Sequence, residues 1–212
     1  MQHPSRPLRS LRRATVLALV VGVAAGCGSG PGTGSGTRRA SSPPTASPEV
    51  AHPGRPVTAA PANGQVLHGS GYRVQVPANW HQVTHRRLSN GVDRAAGAAL
   101  PVHGFASNLS VVVTPDGFAV PELAAVTRRI RARMGRAGPQ VSILPQAQIA
   151  GMPAGHLAGL RKKSGTTYWL DQYVVAHGGH GYVVSFAFSP SVRPAKRKQL
   201  IASVLGTWTW RR

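Results

Sequence analysis

The sequence predicts an α+β domain in which an antiparallel β-sheet is flanked by helices. Three observations predict it: short runs that alternate apolar with polar residues, two amphipathic helical stretches, and a series of apolar segments from Val141 to Phe188 interrupted only by turn residues. Tyr72, Val74 and Val76 alternate with polar neighbours and share one face of a strand that Pro77 ends. Leu109–Thr114 is rich in β-branched residues and stops at Pro115-Asp116-Gly117, a turn signal. Pro121-Glu122 suits a helix start, with proline in the first turn and a carboxylate near the positive dipole end. At about 100° per residue, Leu123, Val126, Ile130 and Met134 form one apolar stripe, while Arg128, Arg129, Arg131, Arg133 and Arg136 spread around the rest. Gly135 or Gly138-Pro139 ends this helix.

Beyond it, Val141–Ile149, Met152–Lys163, Thr166–His177 and Tyr182–Phe188 are separated by Ala150-Gly151, Ser164-Gly165 and a glycine-rich turn. Connections this short join antiparallel neighbours, and Gly178-Gly179 supplies the positive φ angles of a tight hairpin. Pro194–Leu205 reads as a second helix with Leu200, Ile201, Val204 and Leu205 inward, closed by Gly206, and Trp208 and Trp210 alternate as in a short last strand.

Composition restricts the chemistry. The 212 residues hold 25 Lys plus Arg against 5 Asp plus Glu, for a formal net charge of +20, and a single cysteine. One cysteine excludes an internal disulfide framework and a multi-cysteine zinc site, and five carboxylates leave little material for paired-acid catalysis. No nucleophile elbow, HExxH, Walker loop or dinucleotide fingerprint occurs. The sequence therefore reads as a non-enzyme with no catalytic residue, no cofactor and no metal. His177-x-x-His180, with His81, His85 and His156 as further candidates, has no acidic or thiol partner near in sequence and reads as a histidine pair beside a solvated turn. Asp171 is the only carboxylate in the strand-rich region; an ion pair with an arginine is its expected role rather than general-acid work.

The N-terminus carries an export signal. Arg6, Arg9, Arg12 and Arg13 precede residues 14–26, an uncharged apolar run. That run is shorter than the ~20 residues needed to cross a ~30 Å hydrocarbon core. It ends Val23-Ala24-Ala25-Gly26-Cys27, and this stretch resembles the bacterial lipoprotein signal. The resemblance implies cleavage after Gly26 and acylation of Cys27 by two or more chains, enough for stable attachment to the outer face of the cytoplasmic membrane. Arg12-Arg13 leaves the general and twin-arginine export routes both open. Residues 1–26 are thus the signal, and 27–64 the lipidated cysteine and a Gly/Pro/Ser/Thr tether with a coil span of about 30 Å. Residues 65–212 form one domain that holds every Trp, Tyr and Phe of the chain.

Within that domain, Tyr72-x-Val74-x-Val76-Pro77-x-x-Trp80, the Val112-Val113 strand before a helix, the Ile149-Ala150-Gly151-Met152-Pro153-Ala154 turn, Tyr173, the Tyr182–Phe188 hairpin strand and the closing helix together resemble the PsbP-like fold of actinobacterial lipoproteins of the LpqN type. The resemblance spans residues 66–210 and implies an α/β/α sandwich in a family of mostly non-catalytic accessory or binding proteins. It brings no catalytic residues with it.

Basic clusters are the largest anomaly. Besides the arginines of the first helix, Arg161-Lys162-Lys163 precedes a turn, and Arg193, Lys196, Arg197 and Lys198 open the second helix, where cations oppose the macrodipole by ~0.3–1 kcal/mol each. Export removes nucleic acid as a partner. The expected partners are the membrane, through the lipid anchor, and an envelope protein or anionic polymer bound by Arg128, Arg129, Arg131, Arg133, Arg136, Lys196, Arg197 and Lys198. The alternative is a carrier or sensor holding a small apolar or lipid ligand among Tyr168, Trp169, Tyr173, Trp208 and Trp210.

Overall fold

The computed structural model describes residues 59–84, 88, 91–134, 141–163 and 165–211. Gly26, Cys27, most of the tether, His85 and Arg136 lie outside them.

Ten strands and two helices follow in the order β1 (Val66–Gly69), β2 (Tyr72–Gln75), β3 (Trp80–Gln82), β4 (Val92–Ala98), β5 (Asn108–Thr114), α1 (Leu123–Arg133), β6 (Val141–Ile149), β7 (Met152–Lys163), β8 (Thr166–His177), β9 (His180–Phe188), α2 (Pro194–Leu205) and β10 (Thr209–Trp210). They build two antiparallel sheets where the sequence suggested one. The larger has the order β3-β4-β5-β9-β8-β7-β6; the smaller, β1-β2-β10, joins the first strands of the domain to its last.

β8 and β9 are buried along nearly their whole length, so the larger sheet must be covered on both faces. Alternation along β8 sorts the two covers. Trp169, Tyr173 and Val175 point into a core shared with Tyr72, Val74 and Val76 of the small sheet and Ile201 and Val204 of α2. Tyr168 and Leu170 point the other way, beneath Ile130 and Met134 of α1. α1 and α2 thus lie on opposite faces, the sandwich that the resemblance implied. Fully buried Tyr182, Phe186 and Phe188 on β9 each contribute ~1.5–3 kcal/mol of transfer free energy.

The stripe of α1 differs in one residue from the expected set. Thr127 is buried in place of Val126, with its hydroxyl donating to the Leu123 carbonyl at 2.7 Å. The helix reaches the sheet closely there because Gly155 of β7 has no side chain; a Cβ on it would strike the Thr127 hydroxyl. The packing of the domain also begins earlier than residue 65: Ala62 is buried and its N–H donates to Ser203 of α2 at 2.9 Å.

Turn chemistry follows the sequence. Gly178 and Gly179 have φ of 56° and 76° between β8 and β9, and Ala150-Gly151 between β6 and β7 has 46° and 79°. A third such pair, His103-Gly104, with φ of 48° and 74°, closes the β4–β5 connection, where Val102 and Phe105 exchange backbone hydrogen bonds of 3.0 and 3.1 Å. Phe105 stacks on Tyr168 at 5.7 Å, which fixes the base of this loop to the α1 face. On the outer edge, the pairing of β6 with β7 is broken between Leu144 and Ala147, where Pro145 lies.

Two substitutions test this packing. Ala150→Asn relieves a left-handed alanine and is expected to raise stability by ~0.5–1 kcal/mol, read as an upward shift in Tm. Gly155→Ala overpacks the α1 contact and is expected to lower it by ~1–3 kcal/mol in denaturant titration.

Candidate functional site

The sequence nominated the arginines of α1 and the basic opening of α2 as one anion-binding set. Opposite placement on the sheet separates them into two surfaces, and burial divides each set again.

On α1, Arg128, Arg129 and Arg133 are exposed, interspersed with exposed Ala124, Ala125 and Ala132. Arg131 is half-buried, and its guanidinium donates to the Val141 carbonyl at the start of β6. Arg161 of β7 donates to the Met134 carbonyl just past the helix, a cation placed at the negative end of the dipole. Arg131 and Arg161 therefore pin the helix C-terminus, which leaves three arginines free to face outward.

On α2, Arg197 is no surface group: it is 7% exposed, so its place in the anion-binding set is corrected. Its guanidinium lies 4.1 Å from the centre of the Trp169 ring and donates to the Val192 carbonyl at 2.7 Å. Burial lowers its pKa and the nearby Asp171 charge raises it. That arrangement explains a cation in the first turn of a helix, which the dipole alone disfavours. Lys196 and Lys198 remain exposed on this face.

Asp171 lies at the centre of the same cluster. Its partners are His156, with Nε2 3.2 Å from Oδ1, and the Trp169 indole N–H, which donates to Oδ2 at 2.7 Å. The expected direct ion pair with an arginine is thus replaced by a histidine and an indole, with Arg197 reached across the Trp169 ring. His156 in turn stacks on Tyr173 at 4.4 Å. No signal in the sequence linked residues 156, 169, 171 and 197; only the register of β7 on β8, which sets His156 beside Tyr173, brings them together.

The other histidines do not join them. His81 is exposed, and His177 stacks on Trp210 at 4.4 Å. His180 holds the Gly178 carbonyl 2.9 Å from Nδ1. Among the described residues, no three His, Cys, Asp or Glu side chains converge as metal ligands. The aromatic set proposed for an apolar ligand is likewise divided, since Tyr168 faces α1 while Trp169, Tyr173, Trp208 and Trp210 face α2 and the small sheet. Trp208 stacks on Tyr72 at 4.5 Å, filling the space between the layers. Two open clefts of about 480 and 370 Å³ flank the β8–β9 turn, the first lined by Phe118, Val120 and Met152, the second by Ser70, Asp93 and His180.

No family model matches this chain, and no curated protein matches it in sequence. Solved structures with a similar course of chain include CyanoP, the cyanobacterial PsbP of Synechocystis, with 16% identity, 66% of this chain and 87% of that one covered, and a TM-score of 0.49. LpqN of Mycobacterium tuberculosis, described as involved in cell envelope biogenesis, has 16% identity over 70% of this chain and 90% of its own, also at 0.49. A protein of Bacteroides thetaiotaomicron has 14% identity and a TM-score of 0.43; the alignment takes in 66% of this chain but spans only 45% of that protein.

Removing the buried charge should be costly. Asp171→Asn leaves Arg197 without its nearby anion and is expected to lower stability by ~1–3 kcal/mol, read from the denaturant midpoint. Alkali should also unfold the domain. Burial, aided by the Asp93 charge for Tyr72 and Tyr182 and by Asp171 for Tyr173, raises all three hydroxyls above their ordinary 10.0. The folded state then holds these protons more tightly than the unfolded chain, so stability is intact below pH 10.0 and falls as the pH rises beyond it. Tyrosinate absorbance for these three rings is expected to appear together with loss of near-ultraviolet circular dichroism.

Proposed function

We propose that this chain is an exported, lipid-anchored, non-enzymatic envelope protein whose domain binds an anionic partner through the outer face of α1. The observation that carries the reading is the set Arg128, Arg129 and Arg133, exposed on one helix. Among the described residues, Asp93 pairs with Arg94 and Asp171 contacts His156, and neither contact involves α1. Arg129 and Arg133, four residues apart, repel one another by a few tenths of a kcal/mol, and Arg128 and Arg129 stand outside the last turn where the helix dipole favours a cation, so local stability does not account for the set. Arg131 and Arg161 hold the helix so that this face keeps a fixed orientation. The arginine-rich N-terminus, the short apolar run and Cys27 support export and anchoring. The absence of catalytic motifs from the sequence, and a buried Asp171 engaged by His156 and Trp169, support a binding rather than a catalytic role.

Cys27→Ser is expected to abolish acyl labelling and to move the protein from the membrane to the soluble fraction. In-cell crosslinking of the anchored and unanchored forms, followed by mass spectrometry, identifies the partner. Retention of the unanchored form on isolated envelope fragments is expected to fall at least tenfold between low and high salt; retention indifferent to salt would overturn the electrostatic part of the reading.

A further inference from the structure

We infer that the α1 face docks on an anionic phospholipid bilayer, with the exposed Leu100–Val102 segment of the β4–β5 loop inserted among the headgroups and Arg128, Arg129 and Arg133 set against the phosphates. This inference rests on the proposed anion-binding role of the same face and names its partner.

Leu100 is 78% exposed and Val102 41%, the former the most exposed large apolar side chain described. Single exposed apolar residues are ordinary, but these stand on a built support. They lead into the left-handed turn His103-Gly104, which the two backbone bonds between Val102 and Phe105 close, and the stack of Phe105 on Tyr168 ties the loop to the cluster that Ile130 and Met134 of α1 also join. Ile143 of β6, 48% exposed, belongs to the same face, because it pairs with Leu157 of that cluster. Apolar side chains beside a cationic helix are the combination that interfacial binding uses.

Charge complementarity selects the face. Asp171 is buried on the opposite side of the sheet, and Asp93 is taken up by Ser70 and Arg94. Asp116 lies in the turn after β5, and Glu122 is engaged by the Ala119 N–H at the start of α1. The point where the chain enters the domain does not select it, since Ala62 is bonded to α2 on the other face. A polyanion in solution would use the arginines and gain nothing from Leu100, whereas a bilayer uses both.

The test uses residues 27–212 with Cys27→Ser, which carry no acyl chain and keep every described residue. Sedimentation with phosphatidylglycerol-containing vesicles is expected to show binding that neutral phosphatidylcholine vesicles lack. The triple variant Arg128→Gln, Arg129→Gln, Arg133→Gln should bind on the order of 100-fold more weakly, and Leu100→Ser about tenfold more weakly. Lys196→Gln with Lys198→Gln, on the other face, should bind unchanged. All these positions are exposed, so circular dichroism should report an intact fold. Leu100→Cys in this background gives a sole thiol for an environment-sensitive dye, whose emission should shift to the blue on anionic vesicles. Binding to poly(glycerol phosphate) through α1 without binding to vesicles would overturn the bilayer assignment and leave the anionic-face reading standing; binding to neither would end both. Vesicle binding unaffected by Leu100→Ser, with the dye still in water, would overturn the insertion.

Discussion

Burial of β8 and β9 on both faces is the constraint from which the rest of the architecture follows. A two-stranded core that is apolar on each side cannot rest on one layer, so the chain must supply a cover from each direction. It does so with α1 on one side, and on the other with α2 and the small sheet that clasps the first strands of the domain to its last. The separation of the two basic helices is a consequence of that requirement. The sheet stands between them, so the two basic surfaces do not form one site.

The same constraint accounts for the charges that the surfaces do not use. Arg197 enters the covered face with α2, and Asp171 with β8; each would be costly there without the other nearby. Trp169 stands between them, offering its ring to the guanidinium and its N–H to the carboxylate. A buried aromatic with two chemically different ends thus links two charges that do not touch, while His156 takes the remaining carboxylate oxygen. The result is a polar cluster within an otherwise apolar face, satisfied by residues from β7, β8 and α2 together.

Much of this fold is legible in the sequence because it rests on local signals. The strands from Val141 to Phe188 announce themselves by length, β-branching and turn glycines, and the helices by periodicity and their prolines. What stayed hidden depends on register and on depth. β1, β3 and β4 are short or built from alanine, as in Ala95-Ala96 of β4, and carry little pattern of their own. Thr127 reads as a surface residue until Gly155, far along the chain, is seen to admit it to the interior. Arg197 reads as one of a cationic run, and nothing in that run marks it as the one that turns inward. The α1 arginines are legible as a helix face, but the apolar loop beside them is not, because its position depends on Phe105 meeting Tyr168 from another part of the sheet.

The outer edge strand has a meaning that belongs to crowding rather than to folding. Where many copies of one chain are crowded together, their exposed strand edges meet often. An open β-strand of nine residues, with Ile143 and Leu144 exposed along it, would under those conditions template sheet growth from one molecule to the next. Pro145 interrupts it. By removing a donor and forcing the break in pairing between Leu144 and Ala147, one ring leaves β6 two short ladders instead of a continuous one. The opposite edge, β3, is only three residues long. Both rims of the sheet are thereby poor substrates for self-association, and closely crowded copies of the domain can stay dispersed.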